Sequence, residues 1–217
     1  MKMRLDILIL LFTLLSLSFV ASTALADTVN LKKGEWIEYQ VLAIGDFPGE
    51  HNVNWTRIEI IDVRGEIILL NVTVQLTTGP YVYYNDTVDF EKGELMEGFF
   101  LPSNVTDGDV FFDKLVGNIT VSGVEHRTYG GADRTLVVGV APETTYYWDK
   151  AKGIMVEAHS SYPSFNYTVD TIAKKTNMWQ AQILDLDPTV FYAITVGIVA
   201  LTTIIAVFLT YRLKKKP

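Results

Sequence analysis

Residues 190–211 form a 22-residue run without a charged side chain, followed at once by Arg212, Lys214, Lys215 and Lys216. As a helix rising about 1.5 Å per residue, the run reaches about 33 Å, enough to cross a hydrocarbon core with slight tilt. Its polar side chains, besides the flanking Tyr192 and Tyr211, are Thr195, Thr202, Thr203 and Thr210. Their hydroxyls can bond to the helix's own carbonyls, so they are tolerated in lipid. A lipid bilayer is therefore the first expected partner. The cationic tail 212–217 resists translocation, which places it in the cytoplasm and everything before residue 190 outside. The expected protein is a single-pass, type I component of the plasma membrane. Ala193 and Gly197, small residues four apart on one helix face, are candidates for a weak homodimer contact between anchors.

The other end of the chain agrees with that orientation. Lys2 and Arg4 open residues 1–26, residues 5–20 are apolar apart from Asp6 and a few Ser and Thr, and Ala24-Leu25-Ala26 is a small-x-small cleavage site. These are the parts of a secretory signal peptide, and the mature chain is expected to begin at Asp27. An uncleaved anchor, giving two spans, is the alternative. Between the ends lie an ectodomain, 27–175, of a length that buries a sizeable core, and a juxtamembrane linker, 176–189.

Residues 27–189 carry 12 Lys and Arg against 24 Asp and Glu, a net of −12 where the whole chain has −7. Such a surface repels polyanions, so no nucleic acid is expected as a partner. The chain has no cysteine. A disulfide framework, a thiolate metal site, a cysteine nucleophile and a lipidated N-terminal cysteine are all excluded, and the domain must stand on its core alone.

Alternation of period two dominates the ectodomain, broken by turns every 8 to 12 residues or so, which reads as all-β. The clearest strand is 66–77, where Ile68, Leu70, Val72, Val74 and Leu76 point one way and Asn71, Thr73, Gln75 and Thr77 the other. Further strands are expected over 35–44, 53–63, 81–90, 95–101, 118–129, 134–141, 144–148, 154–160 and 165–174. Arg64-Gly65, Thr78-Gly79-Pro80, Lys92-Gly93, Gly130-Gly131 and Lys152-Gly153 supply the positive-φ positions that hairpins need. Adjacent strands should then pair as an antiparallel meander. Ten strands are too many for one flat sheet, so the sheet should curl over its apolar face as a half-barrel or split into a sandwich.

Asn-x-Thr occurs at Asn54, Asn71, Asn85, Asn104, Asn118 and Asn166, six of the nine asparagines in residues 27–189. These are acceptor sequons for N-glycosylation, conditional on a host transferase. Strand alternation alone also favours Asn and Thr on a wet face. Asn71, Asn118 and Asn166 are expected on polar strand faces, Asn85 and Asn104 nearer turns.

Catalytic patterns are weak. His51, His126 and His159 lie far apart in sequence, and a metal-assisted hydrolase would require them to converge. Asn104, Asp107, Asp109 and Asp113 could place oxygens around calcium but do not follow the EF-hand pattern. No Gly-x-Ser-x-Gly elbow or phosphate-cradling loop is present. No enzyme activity, cofactor or metal is therefore expected. Trp36, Tyr39, Trp55, Tyr83, Tyr84, Phe99, Phe100, Tyr146, Tyr147 and Trp148 would either build a β core or line a cleft for an apolar ligand such as a lipid.

Two stretches carry a resemblance. Gly34-Glu35-Trp36-Ile37-Glu38-Tyr39, and the hairpin from Tyr146-Tyr147-Trp148-Asp149 through Gly153 to Glu157, resemble uncharacterised exported archaeal proteins of the cell surface. Those proteins end in one transmembrane helix with a basic tail. The Trp-Asp-x-x-x-Gly hairpin is also similar to one in periplasmic lipoprotein-carrier folds, whose curved half-barrel holds an acyl chain. This chain lacks their lipobox cysteine and an evident helix to plug the barrel. The expected role is binding of a ligand or envelope protein without catalysis, or a structural or adhesion module of the cell envelope.

Overall fold

The computed structural model describes residues 30–45, 52–181, 183 and 186–213. The expected signal peptide, Asp27, His51 and the tail residues Lys214, Lys215 and Lys216 lie outside the described residues. Ten strands form one antiparallel sheet: β1 (Trp36–Ile44), β2 (Val53–Arg64), β3 (Ile67–Leu76), β4 (Tyr81–Asp89), β5 (Val110–Asp113), β6 (Gly117–Tyr129), β7 (Ala132–Val140), β8 (Thr144–Asp149), β9 (Ile154–Tyr162) and β10 (Tyr167–Thr176). Their order across the sheet is β4-β3-β2-β1-β10-β9-β8-β7-β6-β5. It is two meanders, β1 to β4 and β5 to β10, joined where β1 pairs with β10, for example Tyr39 opposite Ala173 and Val41 opposite Thr171. Consecutive strands β4 and β5 do not pair. They form the two outer edges of an open sheet.

The hairpins follow local chemistry. Gly130 and Gly131 take φ of 57° and 77° between β6 and β7, a left-handed pair that side chains with a Cβ adopt only with strain. Alternation then sets the faces. On β3, Ile68, Leu70, Val72 and Val74 are buried, and the register carries the same side across to Ile58 and Thr56 on β2 and to Val88 on β4. Ile37, Tyr39, Ile119, Tyr146, Trp148 and Val156 continue it around the curl. This concave side is the core.

One expected strand is absent. Residues 95–101 are not in the sheet; the connection 90–109 between β4 and β5 is irregular, with isolated bridges Asp89 to Glu94 and Phe100 to Ile154. Met96, Glu97 and Gly98 take φ of 57°, 57° and 78°, three successive left-handed residues that no ladder can pass through. The apolar residues there are satisfied by burial instead of pairing: Leu95, Phe100 and Leu101 are buried. The tenth strand is β5, four residues not expected as a strand. At the other end, Pro163–Phe165 is a short 3-10 turn, so β10 starts at Tyr167.

Helix α1 (Pro188–Leu213) follows the sheet. It is apolar, Pro188 is buried at its start and residues 192–208 are exposed, so by length and composition it can cross a membrane. The hydroxyls of Thr195, Thr202 and Thr203 donate to Phe191 O, Val199 O and Val199 O at 2.8–2.9 Å, leaving no polar group for lipid to meet there.

Candidate functional site

A curled sheet presents two places to work, its hollow and its outer face. The hollow is occupied by the chain itself. Phe99 meets Tyr39 edge to face with ring centres 5.3 Å apart. Trp148 donates its Nε1–H to Gly98 O at 2.6 Å, and Gly98 N donates to the buried carboxylate of Asp113 at 3.0 Å. Leu101 N donates to Gly153 O at 2.9 Å and Met155 N to Phe99 O at 2.8 Å, so the segment 90–109 is tied to the β8–β9 hairpin. A Cβ on Gly98 would lie 2.7 Å from the Tyr146 ring, so only glycine lets the segment settle this deep. Truncating Phe100, fully buried, would remove about 3–5 kcal/mol. The plug expected to be missing is an irregular segment and not a helix.

The Trp148-Asp149-x-x-x-Gly153 hairpin is the fastener for that plug. Asp149, fully buried, accepts Arg134 Nε at 2.5 Å and Nη2 at 3.0 Å, and Lys152 N at 2.8 Å. Arg134 in turn stacks 4.8 Å from the Trp179 ring, whose Nε1–H donates to Tyr129 O at 3.0 Å. Trp179 therefore packs at the base of the domain. Tyr39, enclosed by the core, has its hydroxyl pKa pushed well above the ordinary value by burial; it donates to Met155 O at 2.7 Å.

On the outer face, β9 and β10 bring together a group that sequence reading missed. Glu157 and His159 alternate onto one side of β9, and the register sets Asp170 of β10 opposite His159. His159 Nδ1 lies 2.7 Å from Asp170 Oδ1, and its Nε2 bonds Glu157. Glu157 also accepts from the Tyr129 hydroxyl and from Arg127 Nη1 at 3.1 Å; Arg127 lies 4.0 Å over the Tyr147 ring. Burial of the imidazole works to lower its pKa, and the hydrogen bonds it donates to Asp170 and Glu157, with their charges, outweigh it, so the net shift is upward. Both ring nitrogens are engaged, which leaves neither as a ligand or base. The signal for this cluster was the i, i+2 spacing of Glu157 and His159; the partner strand was not readable.

Of the three histidines, His51 lies outside the described residues, and His126 and His159 do not converge. His126 is on β6, within 3.3 Å of Thr135 Oγ1. His159 is three strands away and offset along the strand direction by six residues, about 14 Å by about 20 Å. Among the described residues no group of three His, Cys, Asp or Glu is gathered to hold a metal. Asp109 and Asp113 are also committed, the first to Thr106 N and Oγ1, the second to the amides of Gly98, Leu115 and Val116.

The sequons fall in different settings. Asn71 is half-buried on the outer face of β3, and Asn118 is exposed on β6. Asn166 is exposed but not on a strand: it is the left-handed residue, φ 48°, closing the turn before β10. Asn85 is not near a turn; it is exposed in the middle of edge strand β4. Asn104 is a left-handed loop residue, φ 65°. Asn54 is exposed, but the threonine of its sequon, Thr56, is buried on the core side.

At the base, Asn177 accepts from Trp36 N at 2.7 Å and donates to Gly34 O at 2.9 Å, docking the start of the linker on the domain. A cavity of about 360 Å³ lies between Asp133, Arg134, Trp179, Gln180 and the start of α1. Its lining is mixed, with buried Ala132 and Met178 beside the polar residues.

No family model matches the chain, and no curated protein matches it. Among solved structures, it is similar to one described as a lipoprotein from Parabacteroides distasonis ATCC 8503, with a TM-score of 0.44 at 9% identity over 70% of this chain and 100% of that one. An exported protein with a YmcC-like fold from Bacteroides fragilis gives 0.38 at 9% identity, over 70% and 100%. The Mycobacterium tuberculosis lipoprotein LppX gives 0.33 at 11% identity, over 67% and 87%. These are distant resemblances in fold to bacterial exported proteins, at identities too low to carry any residue's role across. None of the three is archaeal.

Proposed function

We propose that this chain is a single-pass surface protein that holds its β domain outside the plasma membrane, is N-glycosylated, and engages an envelope partner through its outer face, edges or loops without catalysis. The observation that supports this reading is the filled hollow. Leu95, Phe100 and Leu101 occupy the place an apolar ligand would take, and the exposed surface carries the sequons, the charged network around His159 and the aromatic edge of β4. A polar outer face with a short tether suits display or adhesion close to the membrane.

A second reading, binding of one apolar chain in place of the plug, is favoured by one feature. Met96 and Glu97 hold positive φ without being glycine, at roughly 1–3 kcal/mol of strain each, which lowers the work of displacing the segment. The topology is tested with a tag after Pro217. Protease added to intact cells should remove the ectodomain and spare the tag, and the ectodomain released should carry sugar. A protected ectodomain contradicts the proposal.

A further inference from the structure

We propose that Asn85 carries a glycan whose first sugar packs on Tyr83, and that this glycan covers the aromatic patch and guards the open edge of the sheet. The inference rests on the surface-glycoprotein reading above and assigns to one sequon a structural role that the others do not share.

Strand geometry supplies the first observation. Side chains two apart on a strand share a face and stand about 6.7 Å apart, so Tyr83, Asn85 and Thr87 line one side of β4. All three are exposed, Tyr83 at 68%. The sequon is thus presented with an aromatic ring next to it on the side from which the sugar must extend. None of the other five has an aromatic residue two positions before it on its own strand; Asn118 has a single exposed ring beside it, Phe112 across β5 and β6, without a row of rings beyond. The residues two before them are Asn52, Leu69, Pro102, Val116 and Ser164. A pyranose ring has a face of weakly positive C–H groups, and an aromatic face is the negative side of a quadrupole, so the two attract on contact.

The second observation is the size of the platform. Tyr81 stacks beside Tyr83 with centres 6.4 Å apart and planes 26° from parallel, and Trp55 of β2 meets Tyr81 edge on at 6.1 Å. Tyr81 is itself half exposed. Three aromatic side chains in a row on the outer face have no described part of the chain over them, and a sugar chain starting at Asn85 runs directly across them.

The third concerns the edge. β4 is nine residues long, its free side is unpaired among the described residues up to the bridge at Asp89, and residues 81–84 are Tyr, Val, Tyr and Tyr, all exposed. No lysine or proline interrupts the strand, and the one charge within it before its last residue, Asp86, stands on the inner side opposite Leu70 and leaves residues 81–84 uncharged. The other edge, β5, is only four residues and is guarded by its shortness. A bulky hydrated chain in the middle of β4 adds to the protection that Asp86 gives, on the outer side where the aromatic rings lie.

Asn71 pairs directly with Asn85 across β3 and β4. Cross-strand partners hold their Cβ atoms about 4.5–5.5 Å apart, less than two sugar rings side by side require. Asn71 is half-buried, so Asn85 takes the glycan and Asn71 stays bare on the same molecule. In the transfer, Asn85 Nδ2 forms a bond to the anomeric carbon of a lipid-phosphate-linked oligosaccharide donor. The bond from that carbon to the phosphate oxygen breaks, the lipid phosphate leaves with the electron pair, and one amide proton is lost.

The test uses the full chain purified from a host with the transferase, read by glycopeptide mass spectrometry and thermal unfolding. Asn85 should be occupied and Asn71 bare. The wild type should melt about 2–4 °C above Asn85→Gln. Tyr83→Ser should show the same loss, the double variant no more than either, and Tyr83→Phe none. Enzymatic release of sugar from folded wild type should reproduce the loss and increase self-association, independently of any variant. Sugar on other sequons with Asn85 bare, sugar on Asn71 and Asn85 of one molecule, or additive effects of Asn85→Gln and Tyr83→Ser would each overturn the inference while leaving the surface-glycoprotein reading. Absence of sugar from every sequon would remove both.

Discussion

On β3 the side chains of Ile68, Leu70, Val72 and Val74 enter the hollow and are buried, while Leu69, Asn71, Thr73 and Gln75 of the same strand stand on the outer face and remain partly wet. The two faces obey different rules. Inside, the apolar groups are met by other parts of the chain, including a segment that leaves the sheet to do so, except at the β4 edge, where Val82 and Tyr84 stay exposed. Outside, charges are paired across strands, as in the network of Arg127, Glu157, His159 and Asp170, and aromatic rings are left in the open. What the contrast teaches is that the hollow is committed to stability, so the free chemistry of the domain lies outside.

The largest expected effect breaks the contrast on one strand. Val72→Asp places a carboxylate in the apolar interior and should destabilise by more than about 4 kcal/mol. Gln75→Asp, on the outer side of the same strand, should stay within about 0.5 kcal/mol. Equal shifts in a urea melt would mean the faces are misassigned.

Ion pairs sharpen the same point. Asp149→Ala leaves Arg134 without its buried partner and should lose about 3–5 kcal/mol. Asp62→Ala removes the exposed partner of Arg64 and should change stability far less than Asp149→Ala does, because solvent screens the pair. Chemical denaturation of the two variants side by side is the check.

The His159 network should make the outer face pH-sensitive. Its folded pKa is raised above the unfolded value of about 6.5, so its contribution is complete below about 6.5 and is lost as pH rises through the folded pKa. The melting temperature of the wild type should therefore exceed that of His159→Gln at acid pH and approach it at alkaline pH. A gap that does not change with pH would show that the imidazole is not stabilised as a cation. The smallest effect concerns the anchor. If α1 self-associates through Ala193 and Gly197, Gly197→Ile should lower crosslinked dimer in membranes several-fold, and an unchanged yield removes that contact.

The sequence carried the anchor, the all-β class and nine of the ten strands, because each is written in a local period: an unbroken apolar run for α1, alternation for strands such as β3. It did not carry the pairing of β1 with β10, which joins residues more than a hundred positions apart. Nor did it carry the plug. Phe99, Phe100 and Leu101 read as a strand because they are apolar, and only the left-handed turn at Met96, Glu97 and Gly98 redirects them into the hollow. Asn166 looked like a strand residue because Tyr167 and Val169 alternate beyond it, and Pro163 imposes the turn that displaces it. The His159 cluster was half legible, as Glu157 and His159; Asp170 enters only through register.

The central claim, that segment 90–109 is a resident part of the core, is tested most directly by amide hydrogen exchange on the full chain. Leu101 N donates to Gly153 O and Met155 N to Phe99 O, so both amides report the contact between the plug and the β8–β9 hairpin. The account predicts that Leu101 and Met155 exchange as slowly as Val156 and Ala158 further along β9. Fast exchange at Leu101 and Met155, with the strands still protected, would mean the plug leaves the hollow and would contradict it.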